Sequence, residues 1–307
     1  MQAGVYCALT EAAVRGFQQA RGLRVDGCCD EVTWTGLVEA SWSLGDRLLF
    51  LTSPNLRGDD IADLQGRLGR IGFDCGRVDG ILGPRTARAL EDFQRNCGVL
   101  ADGTCGVDTV QAIERVSRQT GTGPGVATVR ERERLRSSSS SLQGVQIVIG
   151  QFGGLSTLTR ALCRDLRLSG AVVISVDEPD AIAQAEAANR FGAALYVGFE
   201  ARTDEVSRVC YYAVPSFEST GGRSLAERMV TGLSGLAGLN PQLAGMRLQV
   251  LRETRMPAVL ASLGSLRHTL DHSIEIARIV RTAIEQWAAQ PLLSTPVRRP
   301  NDTQALT

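Results

Sequence analysis

The chain contains no lysine. All 33 of its cationic side chains are arginine, and 33 Asp and Glu balance them to a net charge of zero. A phosphate-binding loop that needs a lysine is excluded, and so is a Schiff base on a lysine. Histidine is nearly absent too: His268 and His272 are the whole complement of 307 residues. Metal or acid–base sites built on several histidines therefore have no material to work with. No C-x-x-C pair occurs among Cys7, Cys28, Cys29, Cys75, Cys97, Cys105, Cys163 and Cys210. That removes the zinc-ribbon and thioredoxin signals, and these thiols read mostly as small buried or half-buried side chains. No apolar stretch reaches the ~18 residues of a membrane-spanning helix. The first residues, MQAGVYCALTEAAVRGF, have no cationic start before an apolar core. The chain as written thus reads as cytoplasmic, and as exported if the gene start is misassigned.

A concentrated charge of one sign is missing as well. Residues 1–118 hold 13 Arg against 16 acids, and residues 144–291 hold 14 of each. No basic face is available for a nucleic acid. The one charge run, RERERLR at 130–136, alternates in sign and reads as a solvated helix face or linker.

What the sequence does have is a repeat. Residues 12–37 and 88–113 match at a constant offset of 76: Phe17-Gln18 with Phe93-Gln94, Gly22 with Gly98, Asp26-Gly27 with Asp102-Gly103, Cys29 with Cys105, Thr33 with Thr109. Each copy reads as a helix with an apolar stripe, a glycine stop, a tight Asp-Gly turn and a second helix starting near the Thr. The second copy has an additional leading helix, GDDIADLQGRLGRIGF, with Asp59 or Asp60 as N-cap, one apolar face of Ile61, Leu64, Leu68 and Ile71, and Gly72 as its end. Pro84 then stands in the first turn of the next helix. With Gln65, Asp79-Gly80, Gly83 and Thr86 also in place, this pattern resembles the three-helix peptidoglycan-binding domain. The second copy is complete. The first lacks its leading helix, unless residues 5–9 replace it. The Asp-Gly and Phe-Gln pairs read as fold-keeping residues rather than sugar contacts.

Residues 119–143, rich in Gly, Thr, Arg and Ser, read as a flexible linker. Beyond them the pattern changes. Apolar runs at 145–149, 171–176 and 195–199 alternate with helical stretches at 155–168 and 179–191, which argues for an α/β layer with a largely parallel sheet. Strands at 209–214, 247–251 and 257–263 follow, with helices near 221–236 and 270–289. The expected fold class is therefore multidomain: two small all-α peptidoglycan-binding-like modules, the first incomplete, then an α/β domain with a mostly parallel sheet flanked by helices. The expected boundaries are 1–52, 53–118, a linker 119–143, the α/β domain 144–290, and a disordered tail 291–307 in which Thr295, Thr303 and Thr307 are candidate phosphorylation sites.

VQIVIGQFGG, AEAANRFGAALYVGFEA and RMPAVLASLG, in this order, resemble the type 3 zinc N-acetylmuramoyl-L-alanine amidases. With the repeats, the whole chain resembles an actinobacterial amidase-like cell-wall protein. The resemblance implies three zinc ligands and a catalytic Glu. By the same resemblance, Phe152 stands in place of the first His, the loop bearing the second ligand (a Glu) is deleted, Glu200 stands in place of the last His, and Ser262 in place of the catalytic Glu. No zinc is expected here, although active relatives carry it. Glu200 reads as solvated or paired with Arg202, Ser262 as a space-filler, and His268 and His272 as surface or capping residues. A retained cleft would be lined by Gln151, Phe152, Gly153, Glu200 and Arg202. The implied function is a peptidoglycan-associated pseudo-amidase that binds cell wall or a muropeptide-like ligand and regulates peptidoglycan synthesis through a precursor enzyme or the precursor flippase. The alternative is an active amidase that cleaves the muramoyl–L-alanine bond during wall turnover.

Overall fold

The computed structural model describes residues 5–118, 123–138, 140–202 and 206–292. The tail threonines Thr295, Thr303 and Thr307 lie outside the described residues.

The first helical unit consists of α1 (Ala8–Ala20) and α2 (Glu31–Ala40). The second has α3 (Asp59–Arg70), α4 (Pro84–Cys97) and α5 (Val107–Ser117). Neither Asp59 nor Asp60 caps α3; Gly58 holds that position. The Asp60 side chain is fully buried and receives Arg47 Nε at 2.7 Å, so it serves as an ion-pair anchor instead. Ile61, Leu64, Leu68, Leu90, Phe93 and Ile113 form the core of the second unit. The first unit has no counterpart of α3 among the described residues. Val5, Tyr6 and Leu9 do not replace it, because all three are exposed.

One device recurs three times. A buried glutamine, Gln18, Gln65 or Gln94, donates Nε2 to an Asp carboxylate, to a main-chain carbonyl and to a Thr hydroxyl. Its Oε1 accepts from the amide of the Gly in the Asp-Gly turn. Gly27, Gly80 and Gly103 have φ of 77°, 71° and 70°, a conformation that favours glycine. The Asp-Gly and Phe-Gln pairs thus hold the turn against the helix, as their fold-keeping reading requires.

The expected flexible linker needs correction. Its described part carries a helix, α6 (Val126–Arg136). Leu135 is buried in the core of the α/β domain. Glu131 accepts from Ser219 Oγ at 2.6 Å and Thr220 N at 2.9 Å. The Gly/Ser composition concealed these anchors, because one Leu and one Glu give no periodic signal.

The α/β domain runs β1 (Gln146–Gln151), α7 (Ser156–Leu168), β2 (Val172–Asp177), α8 (Ala181–Phe191), β3 (Leu195–Glu200), β4 (Arg208–Val214), β5 (Phe217–Glu218), α9 (Thr220–Leu233), β6 (Gln242–Met246), α10 (Gln249–Glu253), β7 (Ala258–Ser262), α11 (Leu266–Asp271) and α12 (Ser273–Ala289). The sheet order is β2-β1-β3-β7-β4-β5, with β6 also on β4. Pairs β1/β2, β1/β3, β3/β7 and β4/β6 are parallel; β4/β7 and β4/β5 are antiparallel. The expected strand at 247–251 is wrong. The strand is Gln242–Met246, and Gln249–Glu253 is a short helix. The Arg-Leu-Gln-Val-Leu alternation imitates a strand, but the arginines flanking this turn serve buried ion pairs instead.

Side chains alternate across the sheet as the two-residue period demands. Ile147, Ile149, Leu195 and Val197 face a core closed by α7, α9 and α12. Val148 and Tyr196 face the other side, where α8 and α10 pack and where Val78 of the second helical unit joins the core.

Candidate functional site

The carboxyl ends of adjacent parallel strands are where open α/β sheets place ligands. Here β1, β3 and β7 end side by side, with Gln151 opposite Phe199 and Glu200 opposite Ser262. The strand register therefore brings Gln151, Phe152, Glu200 and Ser262 to one edge.

Their roles differ. Gln151 braces the turn into α7: its Oε1 accepts from Leu155 N at 2.6 Å and its Nε2 donates to Ser156 Oγ at 2.9 Å. It is buried, and its amide serves the loop rather than a ligand. Phe152 packs against the α8/α10 core, and its amide donates to Phe199 O at 3.1 Å. Gly153 turns the chain with φ 104°. Ser262 is buried at the end of β7, opposite Arg208 of β4. Beneath the edge, Tyr196 donates to Gln184 Oε1 at 2.7 Å, while Gln184 Nε2 reaches Gln151 O at 2.7 Å. Burial, with the Glu200 charge adding to it, pushes the Tyr196 hydroxyl well above its usual pKa, so it remains a donor. A Cβ on Gly150 or Gly198 would stand 2.5 or 2.7 Å from the Tyr196 hydroxyl, which is why both strands carry glycine there.

The partner expected for Glu200 was Arg202. The structure gives it Arg24, from the loop between α1 and α2, with Nη2 to Oε2 at 2.6 Å. Glu200 Oε1 is buried without a hydrogen-bond partner. Arg202 donates its main-chain amide to Gly264 O at 2.6 Å. Its charge is felt by Asp26 of the first unit. Burial works against the Asp26 carboxylate, but hydrogen bonds from Cys28 N and Gln18, with Arg202 nearby, hold its pKa below the usual value. The cleft left between these parts is about 140 Å³, and Leu23, Arg24, Val32 and Thr33 of the first unit form one wall of it.

The first helical unit is fixed in that position. Glu39 of α2 is buried and accepts from both Arg247 and Arg252, each at 2.9 Å and each buried. Arg247 N donates to Gly22 O at 2.8 Å. Arg252 Nε continues to Asp79 O at 2.7 Å in the second unit, and Arg21 and Asp59 tie the two units together at 2.5 and 2.6 Å. Glu39, Arg247, Arg252 and Arg24 were not singled out from sequence; each lies about 170 or more residues from its partner, and no local pattern marks them.

His268 and His272 lie at the α11/α12 junction with ring centroids 4.9 Å apart. His268 N is capped by Ser265 Oγ, and His272 Nδ1 lies 3.4 Å from Glu275. That fits their surface or capping reading. Cys163 and Cys210 are buried, as expected.

The molecule thus joins small helical units to an α/β domain with a mostly parallel sheet. A family model described as a putative peptidoglycan binding domain matches residues 1–37 and 57–113. The N-acetylmuramoyl-L-alanine amidase CwlM of Mycobacterium tuberculosis is 33% identical over 317 residues, covering 92% of this chain and 77% of that protein. The chain belongs to this N-acetylmuramoyl-L-alanine amidase family. The amidase CwlL of Bacillus licheniformis is 30% identical over 126 residues, 34% of this chain and 35% of that protein. Among solved structures, the amidase Ami1 of Mycobacterium smegmatis aligns over 48% of this chain and 98% of its own, at 13% identity and a TM-score of 0.40.

Proposed function

We propose that this protein is a catalytically silent member of the amidase family. In this reading its helical units bind peptidoglycan or a muropeptide-like fragment, and the protein acts by binding, regulating peptidoglycan synthesis through a precursor-synthesis enzyme or the precursor flippase from the cytoplasmic side. The observation that carries the reading is the Arg24–Glu200 ion pair across the cleft.

Zinc hydrolysis needs three protein ligands, an open position for water and a general base. The residues at this edge do not fit that demand. Phe152 has no donor atom, Ser262 offers a neutral hydroxyl, and the Glu200 carboxylate already carries a guanidinium. Among the described residues no three His, Cys, Asp or Glu gather into a metal-holding group. No hydrolytic step is therefore routed through these side chains.

The test is metal content and amidase activity measured on one preparation, with sedimentation on insoluble peptidoglycan alongside. The expected result is far less than one zinc per chain, no released muropeptide, and co-sedimentation with the wall. The competing reading, an active amidase, draws on membership of the amidase family. One zinc per chain together with cleavage of the muramoyl–L-alanine bond would establish it instead. Co-sedimentation with no effect on any precursor-synthesis step would leave a wall-binding protein without the regulatory role.

A further inference from the structure

A cluster of five arginines has no part in the cleft. It surrounds a chamber of about 350 Å³ on another side, between the second helical unit, α6, and the start of β7. The volume lies within the range of small-molecule pockets, ~300–1,000 Å³. Its floor is apolar: Leu135 of α6, Met256 and Pro257 before β7, and Trp287 of α12, whose Nε1 is already bonded to Gly221 O at 3.0 Å. The floor therefore offers a ligand contact area and no hydrogen bonds.

The walls are cationic. Arg77, Arg85, Arg130, Arg134 and Arg255 line the chamber against only Asp74 and Glu131. Asp74 is shared by Arg85, at 2.7 Å, and Arg130. Glu131 is engaged by the first amides of α9, which leaves its carboxylate facing that helix. Arg134 and Arg255 are exposed at the chamber and make no ion pair among the described residues. Arg77 donates Nη1 to Thr254 O, while its Nε and Nη2 are buried without an acceptor over the Tyr212 ring. Five positive charges against two negative ones, above an apolar floor, specify a ligand with two ends. An oxyanion suits the planar, multi-donor guanidinium groups, and an apolar body suits the floor.

The geometry points to a binding site for a small amphiphilic oxyanion, with its head group among Arg77, Arg134 and Arg255 and its apolar body on Trp287 and Met256. This site is separate from the cleft and stands whether or not the pseudo-amidase reading does.

The probe is n-decyl phosphate, kept below its micelle-forming concentration and titrated calorimetrically into the full chain, with Trp287 fluorescence as a second readout. Saturable one-to-one binding with a fluorescence change is expected. Inorganic phosphate alone and decanol alone should each bind at least about tenfold more weakly, since each keeps one end only. The double variant Arg134→Glu/Arg255→Glu, both at exposed positions, should keep the melting temperature and weaken decyl phosphate about tenfold or more. Ala127→Trp, which fills the chamber from α6, should abolish binding. Three results overturn the site: no saturable binding, equal affinity for decanol or for phosphate alone, or unchanged affinity in both variants. Decyl carboxylate run in parallel separates a phosphate site from a general oxyanion site.

Discussion

Cys29 and Cys105 occupy equivalent places in the two helical units, yet Cys29 is exposed and Cys105 is sealed in a core. The same contrast holds for Phe17, half-buried, and Phe93, fully buried. What differs is the third helix. In the second unit, α3 lays Ile61, Leu64 and Leu68 over α4 and α5. In the first, no described element does so. Even so, Gln18 makes the same bonds as Gln65 and Gln94. The clasp is local and survives without a closed core. A closed core needs three helices, and the two described helices of the first unit are held by contacts outside it. Here the ion pairs of Glu39, Arg24 and Arg21 supply that external hold.

The sharpest way to break this comparison is to remove the two phenylalanines. Phe93→Ala should cost about 3–5 kcal/mol, the range for a fully buried aromatic. Phe17→Ala should cost about 1 kcal/mol, because its ring is only half-buried. Chemical denaturation of each variant checks this. Equal losses would mean that the first unit has a closed core of its own.

Second comes the external hold. Glu39→Ala leaves Arg247 and Arg252 buried without their carboxylate, and removing one partner of a buried ion cluster costs about 3–5 kcal/mol. Part of that cost is escaped if the first unit swings away and the arginines reach water. Limited proteolysis should then cut between the two helical units, near 42–55, while α3, α4 and α5 stay protected. Unchanged proteolysis would show that the docking rests on other contacts.

Third, Gln18→Ala, Gln65→Ala and Gln94→Ala should each cost about 1–3 kcal/mol, since each strands a buried turn amide. Near-equal values would show that the clasp works alike in both units despite their unequal cores.

The repeat was legible because its determinants lie close in sequence: a Gln, an Asp-Gly turn eight residues on and a Thr seven after that recur at one offset. The strands β1, β2, β3 and β7 were legible from their apolar runs, and the family resemblance singled out Phe152, Glu200 and Ser262. What covers that edge was not. Arg24 and Glu200 lie 176 residues apart, and an arginine in a polar loop carries no mark of its partner. Nothing local marks Glu39 as buried, because its partners Arg247 and Arg252 come from far along the chain. The α10 region itself was misread, since five residues fit either period equally well.

At neutral pH the thiols add nothing to this contrast, but alkaline pH separates the units. Burial pushes the Cys75 and Cys105 thiols up to about 12, with nearby Asp79 and Asp60 charges adding to it. In the unfolded chain both would ionise near ~8.5. Above that value the unfolded state has lost protons that the folded state keeps, so stability falls as pH rises, by at most ~1.4 kcal/mol per pH unit for each thiol. Below it, neither thiol contributes. At pH 8 iodoacetamide should modify the exposed Cys28, Cys29 and Cys97 and leave Cys75 and Cys105 intact by mass spectrometry. At pH 10 the second unit should begin to admit the reagent through opening, because its stability is then declining. Labelling of Cys105 as fast as Cys29 at pH 8 would mean that α3 does not close the second unit, and the contrast between the two units would be lost.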